Sequence, residues 1–192
     1  MDELNAKIEK DEKSGLWYRP ELGELFVINE QSQYAKLDFK DKTVMDVGAH
    51  IGCFTDLALK NGAKHVYAYE PTPESFALAV MNVNNEKTSL YNSALTGHDD
   101  IETEFYLSKT YPTCHTHIPV KNREVVTVQA ENFWQKLDIH KPQVLKVDIE
   151  GGEYNFMFQK DIPDYVEQVA IEIHLGKKGF RELGRALARK FN

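Results

Sequence analysis

From Thr43 onward, short apolar runs alternate with stretches whose apolar residues recur at helical spacing. Helix signals flank these stretches: Gly62 closes one of them, and Thr72 with Pro73 opens another. Strands and helices that alternate in this order form right-handed crossovers and a mostly parallel sheet. The pattern therefore predicts an α/β fold with a doubly wound sheet. The predicted strands are 43–47, 65–70, 89–95, 144–150 and 166–174, and the predicted helices are 54–62, 73–85 and 131–138.

Two further segments alternate apolar and polar residues at period two, which is typical of strands with one exposed face. They are 102–108 and 123–129, and the irregular segment 109–122 separates them. We therefore expect an inserted antiparallel ribbon. Its long loop, 108–122, would form a lid or part of an acceptor pocket, as loops of this length often do.

The first 40 residues lack the alternation and are expected to form an arm and a cover for the main domain, residues 41–192. Residues 1–14 are charged and have no apolar stripe, which predicts a frayed helix or a disordered arm. The apolar run Leu25–Ile28 predicts a short strand. Aromatic residues in this segment, Tyr34 among them, are expected to cover a neighbouring surface.

Composition limits the classes of protein that fit. The chain has 192 residues, 42% hydrophobic and 11% aromatic, which is enough for one core of ordinary size. No apolar run approaches the roughly 18 residues of a membrane span, and the first residues are charged where a signal peptide would be apolar. We therefore expect a cytoplasmic protein without a membrane partner. Cys53 and Cys114 lack ligands at zinc-site spacing and are expected to be free thiols.

The net charge of −7 argues against nucleic acid as a partner. The basic stretch 176–190 is interpreted as a solvated helix face.

Ionisable side chains stand where four of the predicted strands end. Because ligands bind outside the carboxyl ends of parallel strands, polar residues there indicate a site. Charges beside a sheet that is buried on both faces cost free energy unless they are paired, so chance accumulation is disfavoured. These residues are Asp46, Glu70, Asp148, Glu150, Glu172 and His174.

The loop after the first strand, DVGAHIGCF at 46–54, differs from the dinucleotide fingerprint. Gly48 and Gly52 lack the middle glycine of G-x-G-x-x-G, which argues against a nicotinamide-dependent dehydrogenase. Asp46 would oppose a pyrophosphate but suits a ligand with an ammonium group or hydroxyls. Glu70, at the end of the second strand, can accept hydrogen bonds from both hydroxyls of a ribose. The predicted ligand is a nucleoside with a zwitterionic tail and no phosphate, a description that S-adenosylmethionine meets.

Five motifs resemble, in this order, those of the FkbM-type methyltransferases. The combination of YEPTP with KVDIEGGE is the most specific part of the resemblance, which covers about residues 40–175. It implies a Rossmann-like class I fold of seven strands and transfer of a methyl group from S-adenosylmethionine, usually to a hydroxyl of a sugar or other small metabolite. The motifs are VMDVGAHIGCF, VYAYEPTPESF, SALTG, LKVDIEGGEY and AIEIH.

The resemblance also implies which residues hold the cofactor. The glycine loop would hold the methionine portion, the acid after the second strand the ribose, and the end of the third strand the adenine. Asp148 would lie beside the methionine amino group or the transferred methyl group. The implied cofactor-binding residues are Asp46, Gly48, Ala49, Gly52, Glu70, Ser93, Ala94 and Asp148.

Methyl transfer to a hydroxyl requires an aligned acceptor and a group that takes its proton. Glu150 is a candidate because Gly151 and Gly152 let a bulky acceptor approach the backbone. His174 is a candidate because an unperturbed histidine has a pKa of about 6.5. The candidates are Glu150, Glu172 and His174, with Glu153 as an alternative that could instead begin a helix at 154–160. The same acids and imidazole could hold a divalent cation, but we favour the metal-free interpretation.

The chain departs from the family pattern after the fifth strand, where a helix and an antiparallel strand pair usually follow. Residues 180–192 predict the helix alone, so we expect the strand pair to be missing and the fifth strand to be a sheet edge. An N-terminal segment or a second copy of the chain could cover that edge. The favoured acceptor is a small molecule or a glycan. Two alternatives stay open, a non-catalytic accessory protein that binds S-adenosylmethionine and a nucleic-acid methyltransferase.

Overall fold

A parallel five-stranded sheet forms the centre of the fold in the computed structural model, which describes residues 7–107, 121, 123–156 and 159–174. The strands are β1 (Glu9–Lys10), β2 (Trp17–Tyr18), β3 (Thr43–Val47), β4 (His65–Tyr69), β5 (Thr88–Tyr91), β6 (Ala94–Thr96), β7 (Glu102–Leu107), β8 (Glu124–Asn132), β9 (Val144–Val147) and β10 (Gln168–Ile171). The helices are α1 (Glu24–Asn29), α2 (Cys53–Lys60), α3 (Pro73–Val83) and α4 (Phe133–His140), with short 3-10 helices at Pro20–Leu22, Glu30–Tyr34 and Gly152–Asn155.

The strand order of the central sheet is β10-β9-β3-β4-β5, and every neighbouring pair is parallel. The chain builds outward from β3 in one direction through β4 and β5, and in the other through β9 and β10. The order therefore reverses between β3 and β9, which is the position where open α/β sheets bind ligands. The predicted α/β fold with a doubly wound, mostly parallel sheet is confirmed.

Apolar side chains cover both faces of this sheet, as the continuous apolar runs predict. Successive residues of a strand point to opposite faces, so Val44 and Met45 belong to different clusters. On the face of Met45, Phe133 of α4 stacks on Phe156 with ring centroids 4.2 Å apart. On the face of Val44, Phe54 of α2 packs in the second cluster.

The predicted third strand, 89–95, is divided in the structure. β5 belongs to the central sheet, whereas β6 pairs in parallel with β8 in a second sheet. The exposed Asn92 lies between them, and its side-chain amide donates to the carbonyls of Glu70 and Pro71 at 2.9 and 3.1 Å. These bonds hold the chain at the end of β4 and turn it away from the sheet.

The predicted antiparallel ribbon is confirmed. β7 and β8 pair in antiparallel register, and with β6 they form the second sheet, in the order β6-β8-β7. Helix α4 begins at Phe133, two residues later than predicted, because β8 continues to Asn132, whose side chain caps the helix by accepting from the amide of Gln135 at 3.1 Å. Of the loop at 108–122, only residue 121 is described, so its predicted role lies outside the described residues.

The prediction of a strand at Leu25–Ile28 is wrong, because these residues lie in helix α1. A short apolar run does not distinguish a strand from a buried helix. Gly23, with a φ of 74°, ends the preceding 3-10 helix and allows the new helix to begin. Residues 9–10 are likewise a strand, paired with β2, rather than part of a helix or a disordered arm.

Other predicted elements end earlier than expected or lie outside the described residues. Strands β9 and β10 stop at Val147 and Ile171, and a 3-10 helix at Gly152–Asn155 takes the place of the expected helix at 154–160. The predicted C-terminal helix, 180–192, is outside the described residues. Within them, β10 has β9 as its one sheet neighbour, so it is an edge strand as predicted. Among the described helices, none has both the length and the apolar character to cross a bilayer.

A buried ionic cluster fastens the N-terminal cover to the glycine loop. Glu24, fully buried, accepts from the backbone amide of Arg19 at 2.7 Å and from its guanidinium. His50 Nε2, in the glycine loop, lies 3.1 Å from Glu24 Oε1, and Arg19 also donates to Ser75 of α3 at 2.9 Å. Burial alone would raise the pKa of Glu24, but its bonds to His50 and Arg19 lower it to about 2.

We expect Glu24→Gln to lower the free energy of unfolding by roughly 3 kcal/mol at pH 7, since it leaves the buried Arg19 without a carboxylate. Because the pKa of Glu24 falls from 4.5 to about 2 on folding, its contribution is complete above pH 4.5 and is lost as the pH falls through 2. The free energies of unfolding of wild type and Glu24→Gln, measured with urea between pH 7 and pH 3, should therefore become more similar as the pH falls. The exposed Glu21, changed to Gln, is the control. A difference in unfolding free energy between wild type and Glu24→Gln that stays constant with pH would contradict a charged Glu24 in the folded protein.

Candidate active site

A cavity of about 270 Å³ opens at the carboxyl ends of β3, β4 and β9, beside the reversal of strand order. Its volume is near the lower end of the range for small-molecule sites, about 300–1,000 Å³. The N-terminal cover contributes Phe26 and Tyr34 to its wall, and the second sheet contributes Phe105. Tyr34 packs edge-on against Phe54 with ring centroids 4.9 Å apart, so the aromatic cover expected from the sequence is present.

The glycine loop approaches the end of β9 too closely for a side chain. Gly48 has a φ of 84°, and a Cβ at this position would lie 1.8 Å from the carbonyl oxygen of Asp148. The amides of Gly48 and Ala49 both donate to the carbonyl of Tyr69, at 3.0 and 2.9 Å. Gly48 and Ala49 line the cavity, but their N–H groups already donate to a carbonyl of the protein. A ligand would therefore make van der Waals contacts with the backbone of this loop and would not accept hydrogen bonds from these two amides.

Glu70 is a buried carboxylate in the cavity wall. It is 7% exposed and stands immediately after β4. Its Oε2 accepts from the amide of His50 at 2.9 Å, and its Oε1 accepts from the amide of Thr72 at 2.8 Å. A carboxylate oxygen can accept two hydrogen bonds, so each oxygen of Glu70 keeps capacity for one more donor. The two amides fix the carboxylate in an orientation that suits a pair of neighbouring hydroxyls.

Two of the predicted cofactor residues do not line the cavity. Asp46 is fully buried; its Oδ2 accepts from the hydroxyl of Thr55 at 2.7 Å, and its Oδ1 lies 3.3 Å from Lys146 Nζ. Gly52 begins α2 with a φ of 87°, and a Cβ there would lie 3.1 Å from Val83. Asp46 is thus turned toward a buried cation, and Gly52 allows α2 to pack closely on α3.

Lys146 also lines the cavity, although the sequence did not predict it as a site residue. Its Nζ donates to the carbonyl of Gly48 at 2.6 Å and lies 3.6 Å from Asp148 Oδ2. The signal for it is a single basic residue within an apolar strand, VLKV, whose four residues are all buried. Such a residue needs a partner of opposite charge, and two acids stand beside it.

Ser93 and Ala94 lie in the cavity wall where the chain passes from β5 to β6. Both are buried, and the Ser93 hydroxyl donates to Glu131 Oε1 at 2.8 Å. They therefore occupy the start of the second sheet, since the third predicted strand is divided before them.

The remaining candidates form one cluster after β9 and β10. Asp148, Glu150 and Glu172 line the cavity. His174 is not among the lining residues, but its Nε2 lies 3.4 Å from Glu150 Oε2 and 3.5 Å from Glu172 Oε1. Its Nδ1 lies 3.1 Å from Oε1 of the fully buried Glu153. The structure thus brings the predicted acids and the imidazole together at one end of the cavity.

The acids around His174 change the role that this residue can have. The hydrogen bond to Glu153 and the charge of Glu150 outweigh burial and raise the pKa of His174 to about 9. The imidazole is therefore protonated near neutral pH and does not accept a proton there, unlike the unperturbed histidine that the sequence analysis assumed. Burial and the nearby Asp148 raise the pKa of Glu172, which makes its carboxylate a stronger base than an ordinary glutamate.

Glu150 has an uncommon backbone conformation. Its φ of 53° lies in the left-handed region, and Gly151 follows with a φ of 99°. Non-glycine residues in this region cost free energy and are concentrated at functional sites. The conformation supports a role in the site for Glu150.

Three of these residues could hold a metal ion. One ligand atom each from Asp148, Glu150 and His174 lies within 4.8 Å of the others. The donor set of two carboxylates and an imidazole suits a divalent cation. An imidazolium has no lone pair to offer, however, so at neutral pH a metal ion would have to displace a proton from His174 to bind here.

Residues 46–190 match a family model described as the methyltransferase FkbM domain. This match covers more than half of the chain. No curated protein is significantly similar in sequence.

The chain is also similar to solved structures of methyltransferases, to different degrees. The methyltransferase FkbM of Methylobacillus flagellatus KT is similar over 95% of this chain, at 14% identity and a TM-score of 0.52, and this chain spans 42% of that protein's length. The M. jannaschii TYW2 structure in complex with AdoMet matches 54% of this chain and 64% of its own, at 17% identity and a TM-score of 0.35. The first similarity shows a common fold, and the TM-score of the second is too low to add to it.

We expect Gly48→Ala to destabilise the protein by about 2 kcal/mol or more, because it adds both left-handed strain and a clash with the backbone of Asp148. Gly15→Ala is the matched control, since Gly15 has a φ of 81° but no atom within 4 Å of its added Cβ. Thermal unfolding should separate the two variants. Equal losses in both would contradict the close approach of the glycine loop to β9.

We expect the protein to need no divalent cation at its acid cluster. Treatment with a chelator, followed by Mg²⁺, Mn²⁺ or Ca²⁺, should leave the melting temperature unchanged at neutral pH, because His174 carries the positive charge. A saturable rise in melting temperature with Mn²⁺ that His174→Asn abolishes would contradict this expectation.

Proposed function

The chain belongs to the methyltransferase FkbM family, and on this premise we propose that it transfers a methyl group from S-adenosylmethionine to a hydroxyl of a sugar, glycoconjugate or other small metabolite. Glu70 carries the proposal. Its buried carboxylate lines the cavity, two backbone amides fix its orientation, and each oxygen can accept from one further donor on a ligand.

The donor side of the proposed reaction uses the wall between β3, β4 and β6. Glu70 would accept from the two ribose hydroxyls, and Ser93 with Ala94 would border the adenine ring. Gly48 and Ala49 would lie against the methionine portion, with Asp148 beside its ammonium group. Gly48 and Asp148 both line the cavity, and the close approach of their backbones places them next to each other, which supports this arrangement.

When bound, S-adenosylmethionine supplies a methyl group that is already activated by its sulfonium. The protein then has to align the acceptor hydroxyl and receive its proton. Glu172 would receive the proton of the acceptor hydroxyl, because this residue lines the cavity and the pKa of its carboxyl group is raised. His174 would hold the carboxylates of Glu150 and Glu172 in position through its Nε2–H, while its Nδ1–H donates to Glu153.

The acceptor end of the cavity favours a neutral or cationic acceptor over an anionic one. Asp148, Glu150 and Glu172 all line it, and their carboxylates can accept hydrogen bonds from sugar hydroxyls. Phosphate or carboxylate groups on the acceptor would meet like charges there. The net charge of −7 argues in the same way against nucleic acid as the acceptor.

We predict that Glu70→Ala weakens binding of S-adenosylhomocysteine at least roughly tenfold, since hydrogen bonds to a charged group contribute about 1.5–3 kcal/mol each. Calorimetric titration measures the affinity, and Glu86→Ala, which removes an exposed carboxylate, is the control. The 2′,3′-dideoxy analogue completes the cycle: it should bind wild type and Glu70→Ala equally. Undiminished binding by Glu70→Ala, or a loss of the same size for the dideoxy analogue, would contradict the ribose assignment.

The reaction itself is tested with S-adenosylmethionine labelled in its methyl group. We expect label in a neutral sugar or another hydroxyl-bearing metabolite from a panel that also contains phosphorylated sugars and nucleic acid, and we expect Glu172→Gln to lower the rate while leaving cofactor affinity intact. Cofactor binding without any labelled product would point to a non-catalytic accessory protein. Label in nucleic acid alone would overturn the proposed acceptor class.

A further inference from the structure

Lys146 is a charged residue in the most buried strand of the sheet. It is 4% exposed and lies between Leu145 and Val147, both of which are fully buried or nearly so. β9 has a strand on each side, β10 and β3. Moving an ammonium group from water to such a position costs several kcal/mol unless partners compensate it. A purely structural strand would be more stable with an apolar residue here, so the lysine requires another explanation.

Three oxygen atoms surround the ammonium group, and they come from both sides of the cavity floor. The carbonyl of Gly48 accepts at 2.6 Å, Asp46 Oδ1 lies at 3.3 Å, and Asp148 Oδ2 lies at 3.6 Å. The contact with the Gly48 carbonyl is a hydrogen bond, and the two carboxylates are ion-pair partners that compensate the buried charge. Lys146 thereby joins the glycine loop after β3 to the first residue after β9.

The partners of Lys146 differ in whether they line the cavity. Asp46 is fully buried behind the floor and does not line it, whereas Gly48, Lys146 and Asp148 do. Burial alone would lower the pKa of Lys146, but Asp46 and Asp148 raise it well above its ordinary value, so the side chain stays charged. Asp46 therefore balances the charge of Lys146 from behind.

The peptide of Gly48 is held from two directions. In the peptide group that joins Gly48 to Ala49, the Ala49 N–H donates to the carbonyl of Tyr69 and the Gly48 carbonyl accepts from Lys146, so this group cannot rotate without losing one of these bonds. The same ammonium group restricts the carboxylate of Asp148. A carboxylate has about four acceptor positions, so Asp148 can still bind a further cation after its contact with Lys146.

We propose that Lys146 is a positioning residue for the amino-acid portion of the cofactor, which it serves by fixing the Gly48 carbonyl and the Asp148 carboxylate on either side of the cavity floor. This inference rests on the proposed function. It makes Asp46 the charge partner of Lys146 rather than a direct ligand of the cofactor.

The test removes both charges together, because Lys146 alone cannot be neutralised without stranding Asp46. In the double variant Asp46→Asn with Lys146→Gln, two amides can bond to each other without a net charge. Two probes are titrated by calorimetry: S-adenosylhomocysteine, and 5′-methylthioadenosine, which lacks the amino-acid portion. Circular dichroism and a thermal melt establish that the variant is folded, and Lys64→Gln, a change of an exposed lysine, is the control.

The double variant should bind S-adenosylhomocysteine at least about tenfold more weakly than wild type, because the charge-assisted positioning of Asp148 is lost. Its affinity for 5′-methylthioadenosine should be unchanged, since Glu70 and the adenine wall are intact. Equal losses for both probes, or no loss for either, would overturn the proposal by showing a merely structural role. If the double variant does not fold, Lys146→Arg replaces it: this change keeps the charge but alters the contacts of Lys146, so weaker binding of S-adenosylhomocysteine with unchanged binding of 5′-methylthioadenosine supports the positioning role, whereas equal losses or no loss overturn it.

A failure of the proposed function gives a different result. Wild-type protein that binds neither probe contradicts the cofactor assignment itself, whatever the variants do. Wild-type protein that binds both probes with the same affinity contradicts the contribution of the amino-acid portion, and with it the role of Lys146.

Discussion

The close approach of the glycine loop to the end of β9 is the contact on which the site depends. Gly48 leaves no room for a Cβ beside the carbonyl of Asp148, and its own carbonyl accepts from Lys146. This contact joins the two strands between which the sheet order reverses. It brings the residues after β9 to the same cavity as Glu70, so that one small space receives groups from separate parts of the chain.

Much of the fold could be predicted from the sequence, because buried parallel strands produce apolar runs that are easy to recognise. The errors have local causes. Leu25–Ile28 is too short a run to distinguish strand from helix, and Asn92 divides the third strand through bonds to carbonyls that are distant in sequence. Glu70 could be placed in the site because it follows a strand directly. The partners of Asp46 and Lys146 could not, since they depend on which strands are neighbours.

Electrostatic surroundings changed the chemistry assigned to the cluster after β9 and β10. Taken alone, His174 suits a general base, but the bond to Glu153 and the charge of Glu150 raise its pKa to about 9. Glu172 becomes the better candidate for the base, because burial and the charge of Asp148 raise the pKa of its carboxyl group. Residue type and spacing identify such a cluster, whereas the assignment of acid and base requires the distances between its members.

The central claim is that the cavity beside Glu70 binds a nucleoside cofactor through its ribose. A crystal structure of the protein with S-adenosylhomocysteine tests it most directly. We predict that the two ribose hydroxyls lie within hydrogen-bond distance of the two carboxylate oxygens of Glu70, with the amino-acid portion against Gly48. A ligand bound elsewhere, or a ribose turned away from Glu70 in the same cavity, would contradict the claim.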